Sequence, residues 1–229
     1  MKQGYVLRRI IGVIFILATV AAVSINHPNI MQSVAPPQSV STATGPAIDV
    51  LNSLAVKGRS PKTGYARTQF GDGWTISKGC DTREIILRRD MTNVTANDKC
   101  QVISGTLNDP YTGKIILFSR GESSSSAVQI DHVVALSNAW QTGAQQLTVD
   151  QRVSLANDPL ELLAVDGPTN QQKSDGDAAT WLPSNKLYRC QYVSRQVAVK
   201  SKYKLWVTQS EKNAITAILS TCPGQILPQ

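Results

Sequence analysis

His132 is one of two histidines in the 229 residues, and it stands directly after Asp131 in the run Val-Gln-Ile-Asp-His-Val-Val-Ala-Leu-Ser-Asn. The other, His27, follows an apolar N-terminal segment, so imidazole chemistry in a folded domain falls to His132. A neutral imidazole with a pKa near ~6.5 can take a proton from water at neutral pH. A histidine beside an aspartate is more often an ordinary hydrogen-bonded pair, and the second segment gives this one its interest. That segment, residues 157 to 177, reads Asn-Asp-Pro-Leu-Glu-Leu-Leu-Ala-Val-Asp-Gly-Pro-Thr-Asn-Gln-Gln-Lys-Ser-Asp-Gly-Asp. It brings a carboxylate (Glu161), a carboxamide (Asn170) and an ammonium (Lys173). On its own Asn170 reads as a helix cap, and Glu161 as a solvated or salt-bridged side chain.

The elements that must position these groups follow from periodicity. Gln129 to Leu136 reads as a strand or extended arm, and Leu160 to Val165 as a second strand. Asp166-Gly-Pro is a turn, and Asn170 opens a helix ended by Trp181-Leu-Pro183. Adjacent side chains on a strand point to opposite faces. Asp131 and His132 therefore need a bend, a bulge or a site at the strand edge to serve one centre. Ahead of them, Ala47 to Lys57 has helical spacing, 64 to 79 is an ordered loop, Asp81 to Asp90 is a short helix, and 102 to 119 is a hairpin around Asn108-Asp-Pro-Tyr-Thr-Gly. Thr148 with Gln151 caps a helix to Ala156. Leu187 to Leu205 is a long helix, and Thr208 with Glu211 caps the last one. Helices with short antiparallel strands indicate an α+β domain.

Lys2, Arg8 and Arg9 precede the uncharged run Ile10 to Val23, which spans roughly 21 Å as a helix. That is short of a ~30 Å hydrocarbon core. Residues 1–25 therefore read as a secretory signal, with an uncleaved membrane anchor through residues 10–25 as the alternative. Residues 26–46, with Pro28, Pro36, Pro37 and Pro46, read as linker, leaving 47–229 as the domain. In an exported chain the four cysteines read as two disulfides. Cys80–Cys100 and Cys190–Cys222 are preferred because each closes a local loop.

Net charge is +7, but its distribution matters more. Asp131 to Asp177 is acidic and the chain after Ala178 is basic, which suits a metal site beside a polyanion-binding surface. Arg189, Lys200 and Lys204 share a roughly 60° sector of one helix. They could follow a phosphate backbone or form a solvated face.

The pattern Ile-Asp-His-Val-Val-Ala-Leu-Ser-Asn-Ala-Trp, then Leu-Ala-Asn-Asp-Pro-Leu-Glu-Leu-Leu-Ala-Val-Asp-Gly, then Asn-Gln-Gln-Lys-Ser-Asp, Trp-Leu-Pro and Tyr-Arg-Cys resembles the exported HNH (His-Me finger) endonucleases. Within these it is similar to the C-terminal nuclease domain of GmrSD-type restriction enzymes. The resemblance runs from about Gly79 to Cys222 and implies a ββα-metal core with an added β-hairpin and C-terminal helices. It also implies His132 as general base and Asp131 and Asn170 as ligands of a divalent metal ion, Mg²⁺ or Mn²⁺. The substrate would be nucleic acid, DNA with RNA as an alternative, cut with little sequence specificity. Lys173 and Arg152 are candidate phosphate contacts. Glu161 departs from the family, whose middle position is commonly Asn. A non-catalytic exported nucleic-acid-binding module on the same fold is the alternative function. A serine hydrolase is disfavoured because no Gly-x-Ser-x-Gly elbow is present, and no protein partner is indicated.

Overall fold

The structure, a computed structural model, describes residues 45–122 and 124–228. The signal or anchor of residues 1–25, the linker up to residue 44, and His27 lie outside the described residues.

Helix α1 (Ala47–Ser53) is followed by a 3₁₀ turn, Arg67–Phe70. A short antiparallel pair, β1 (Ile76–Ser77) and β2 (Cys80–Asp81), leads into helix α2 (Thr82–Asp90). Asp81 caps α2 by accepting the Glu84 N–H, which is the local chemistry expected of an N-cap aspartate. Strands β3 (Met91–Ala96), β4 (Val102–Asn108) and β5 (Ile115–Ser119) form an antiparallel sheet in that order. The hairpin read from sequence is β4–β5. Its partner β3 carries little apolar alternation and was not expected.

The second half is the unit on which the site is built. Strand β6 (Val128–His132) pairs antiparallel with β7 (Leu162–Asp166), in unbroken register from Val128↔Asp166 to His132↔Leu162. Helix α5 (Gly167–Lys173) follows β7 directly. Between the strands lie α3 (Leu136–Gln141) and α4 (Val149–Ala156). The Thr148/Gln151 capping box forms as expected. Helices α6 (Arg189–Lys202) and α7 (Gln209–Leu219) close the domain, α7 with its Thr208/Glu211 capping box.

The alternation of β6 and β7 joins two cores. Val128 and Ile130 face Leu162 and Ala164 and pack with Ile86, Leu87, Met91, Val102, Leu107 and Phe118. Leu163 and Val165 point the other way, into a larger core built on α1, α3, α4, α6 and α7. Gly167 is required at the start of α5: a Cβ there would lie 2.0 Å from the Ser126 carbonyl oxygen. Both disulfides are Cys80–Cys100 and Cys190–Cys222. The first ties β2 to the β3–β4 turn, and the second ties α6 to the end of α7.

Two expectations about charged residues change. Lys200 is no part of a phosphate-tracking face; it is fully buried and ion-paired with Glu211 at 2.8 Å. Arg189 donates to the Pro183 carbonyl. Arg152 is not a phosphate contact: it is buried, donates to the carbonyls of Gln69 and Leu147, and lies over the Trp140 ring. Arg152→Ala leaves those acceptors unpaired and is expected to cost about 2–3 kcal/mol, read as a lower urea midpoint. Its nucleic-acid affinity should stay within twofold of wild type; a lost salt dependence of binding would restore the phosphate role.

Candidate active site

His132 ends β6 on the same face as Val128 and Ile130. Its ring lies parallel to Trp74, centroids 5.7 Å apart, and Nε2 is 3.0 Å from the Ala156 carbonyl oxygen. A carbonyl only accepts, so Nε2 carries the proton and Nδ1 keeps its lone pair. Nδ1 makes no hydrogen bond among the described residues. Burial lowers His132 to about 3, with the cations Arg67 and Lys173 adding to the shift and the Ala156 bond opposing it. The imidazole is therefore neutral throughout the physiological range. In metal-free protein, the ring resonances of His132 are expected to stay unshifted by NMR as pH falls from 7.5 to 5. A midpoint near 6.5 would contradict this placement. The sign for stability follows. The unfolded chain binds this proton below about 6.5 and the folded chain only near 3, so His132 favours folding less as pH falls through that window.

Asp131 points to the opposite face, as strand alternation requires. The hairpin turn of β4–β5 delivers the buried Tyr111, whose hydroxyl donates to Asp131 Oδ2. Lys173, on the last turn of α5, reaches Oδ1 at 2.9 Å and the His132 carbonyl at 2.8 Å. Burial raises Asp131, while Lys173 and the Tyr111 hydrogen bond act in the other direction. Lys173 is thus an internal partner of the strand rather than a phosphate contact: it is 2 % exposed.

The strand needs neither bulge nor bend. Strand β6 pairs on one edge only, and a cavity of about 390 Å³ is lined by the consecutive residues Gln129, Ile130, Asp131 and His132 together with Asn170. Both faces of β6 reach this one cavity. Asn170 does not open its helix: Asp166 is the N-cap and accepts the Thr169 N–H, leaving Asn170 in mid-helix. Its Nδ2 donates to Gln129 Oε1 at 3.0 Å, which leaves Oδ1 directed to no described partner.

Glu161 is neither solvated nor salt-bridged. It is fully buried, and burial raises its carboxyl well above the usual range, with the Val134 N–H and Lys173 acting in the other direction. Its backbone carbonyl accepts the Val133 N–H at 2.9 Å and its Oε2 accepts the Val134 N–H at 3.1 Å. These bonds fasten the chain immediately after His132 to the entry of β7.

The chemistry of the donor set accommodates a hydrated hard cation. A carboxylate has about four lone-pair sites, of which Tyr111 and Lys173 occupy two on Asp131, and Asn170 Oδ1 adds a neutral oxygen. No group of three His, Cys, Asp or Glu able to hold a metal exists among the described residues. Mg²⁺ keeps several waters and takes one or two protein oxygens.

Three residues at this site escape a reading of the sequence. Tyr111 lies in a turn where Pro and Gly chemistry dominates. Arg67 lines the cavity and is exposed, and its guanidinium forms no hydrogen bond or ion pair among the described residues. Trp74 sits in the Gly-rich loop. A lone arginine and a lone tryptophan in a loop carry no local signal of a partner far away in sequence.

The family of GmrSD restriction endonuclease C-terminal domains matches residues 81–218, which contain Asp131, His132, Glu161, Asn170 and Lys173; Arg67 and Trp74 precede that span. A protein of Arthroderma benhamiae described as an uncharacterized secreted protein is 40% identical over 220 residues, covering 95% of this chain and 99% of the relative. No solved structure matches the chain. The span of the family match, together with the paired strands and helix that carry the Asp-His and Asn segments, shows that the chain belongs to the family of GmrSD restriction endonuclease C-terminal domains.

Proposed function

We propose that the protein is an exported, metal-dependent endonuclease that hydrolyses phosphodiester bonds in DNA or RNA. The observation that carries this reading is the neutral His132 with its lone pair on Nδ1, at the edge of a cavity that Asp131 and Asn170 also line. His132 accepts the proton of the attacking water at Nδ1, and the Nε2 bond to Ala156 fixes the tautomer that makes this possible. Burial resists the imidazolium that results; the phosphate anion beside it favours that charge. Glu161 holds the backbone after His132 and so keeps the ring in place. Arg67 contributes an unpaired guanidinium to the phosphate. Asp131 and Asn170 would hold a divalent cation, Mg²⁺ or Mn²⁺, whose chemistry when bound is to neutralise charge on the phosphate and the leaving oxygen.

The Mg²⁺ dependence of cleavage tests the assignment of Asn170. Asn170→Ala is expected to need at least tenfold more Mg²⁺ for half-maximal rate, with its melting temperature within a few degrees of wild type. Superimposable Mg²⁺ curves would remove Asn170 from the ligand set. A non-catalytic nucleic-acid-binding module is the second reading, favoured by the Lys173 ammonium already seated on Asp131. Tight, salt-sensitive binding without turnover under every divalent ion would select it.

A further inference from the structure

His132 borders a second cavity. It has a volume of about 320 Å³ and shares Arg67, His132 and Leu136 with the first. That volume is at the lower end of the ~300–1,000 Å³ typical of small-ligand sites. Its walls are largely apolar and aromatic: Phe70, Trp74, Leu136 and Ala156, beside the His132 ring. The only formal charges on its lining are Arg67 and Asp72. Arg67 also lines the cavity holding Asn170, so one guanidinium borders both spaces.

The segment that builds this wall is held at both ends. Phe70 is 2 % exposed and meets Tyr65 and Trp140 edge-on at 6.4 and 6.3 Å between ring centroids. Gly71 then turns the chain at φ 98°, a conformation that favours glycine. Beyond Trp74, the Thr75 N–H donates to Asn157 Oδ1 at 2.9 Å and the Thr75 carbonyl accepts the Thr82 N–H at 2.9 Å. Trp74 itself is half-buried and packs on the core beneath β6. Its ring is therefore fixed against His132 rather than free to collapse.

We infer that this second cavity is a nucleobase subsite, with Trp74 as its aromatic wall and Arg67 gripping the phosphate between base and scissile bond, so that the substrate is unpaired, single-stranded nucleic acid. The inference rests on the nuclease reading above and deepens it. Every nucleobase presents a π-face, so an aromatic and apolar pocket accepts bases without reading their edges. That agrees with a pocket whose walls are largely apolar and aromatic. A base in a duplex must leave its stack and its partner before it can enter a side pocket, whereas a single strand has no pairing to break. An arginine bordering both cavities suits a chain whose phosphate and base diverge at that point.

The test is binding, kept separate from turnover. Fluorescence anisotropy would follow the full-length protein, in EDTA, with a labelled 12-nucleotide single strand and with the same sequence as a duplex. Wild type is expected to favour the single strand by at least about fivefold. Trp74→Leu, which keeps apolar volume on the core but removes the π-face, should weaken the single strand about 5- to 100-fold and bring it level with the duplex. Trp74→Phe should retain most of the preference. Arg67→Gln should weaken both forms and reduce the slope of log affinity against log salt by about 1. Equal affinity of wild type for strand and duplex, or an unchanged preference in Trp74→Leu, overturns the subsite while leaving the nuclease reading intact. Failure to bind either form in EDTA also overturns the subsite; the nuclease reading is decided separately, by cleavage with Mg²⁺ or Mn²⁺.

Discussion

On the proposed mechanism, replacing His132 by alanine is expected to lower the rate of phosphodiester cleavage by roughly 10²- to 10⁴-fold, the usual contribution of a positioned general base. The loss should fall on turnover and leave nucleic-acid binding within a few-fold, because the phosphate is held by Arg67 and by the cation that Asp131 and Asn170 would carry. Removal of a buried ring also leaves a space beside Trp74 and an unpaired Ala156 carbonyl, so some loss of stability accompanies it. His132→Asn keeps a donor near Ala156 and presents no imidazole lone pair. It should melt closer to wild type and be as inactive as the alanine variant. If His132→Asn cleaved at a rate near wild type, the proton would have to leave by another route.

The second large effect concerns stability. Lys173→Met removes the ammonium from a carboxylate that is 5 % exposed and leaves the His132 carbonyl without its 2.8 Å donor. Breaking one side of a buried pair typically costs about 3–5 kcal/mol, a large part of the ~5–15 kcal/mol that stabilises an ordinary domain. The pH dependence has a definite sign. Burial already raises Asp131 in the folded protein, and without Lys173 only the Tyr111 hydrogen bond and the charge of Arg67 oppose that shift. A raised carboxyl contributes its stability fully below its unfolded value and loses it as pH rises through its folded value. Lys173→Met should therefore be closest to wild type near pH 4 and furthest from it near pH 7.5, as read by urea midpoints. Adding Asp131→Asn removes the charge while still accepting from Tyr111. The double variant should recover most of the stability at pH 7.5 and remain deficient in metal-supported cleavage, which separates the structural role of the pair from the proposed ligand role of Asp131.

The parts of this molecule that were legible in the sequence are those with short-range causes. Thr148/Gln151 and Thr208/Glu211 form capping boxes because the bonded groups are three residues apart. The two strands carrying Asp131 and Leu163 follow from apolar runs bounded by turn residues; a helix after them was expected, but from Asn170 toward Trp181, whereas it runs from Gly167 to Lys173. The disulfides close loops between neighbouring elements. What was misread had long-range causes. Lys173, Lys200 and Arg152 looked like surface cations because a basic side chain is usually solvated; each is buried by partners that tertiary folding supplies. Lys200 finds Glu211 across two helices, and Arg152 finds the Gln69 carbonyl from a distant 3₁₀ turn. Glu161 looked solvated for the same reason, yet its position on the strand entry buries it completely. Helix α5 begins three residues earlier than expected because Asp166 caps it, which moves Asn170 from helix start to mid-helix without removing it from the cavity. Tyr111, Arg67 and Trp74 join the site from segments that in sequence are a turn and a loop.

The central claim is hydrolysis of phosphodiester bonds by His132 with the help of a divalent ion. Its most direct test is conversion of supercoiled plasmid and of a single-stranded circle by the full-length protein, with Mg²⁺ or Mn²⁺ and with EDTA, beside His132→Asn. Cleavage that requires the ion, stops with EDTA and falls by at least 10²-fold in the variant is the predicted result. No cleavage of either substrate with any divalent ion, or cleavage that survives the loss of His132, would contradict it.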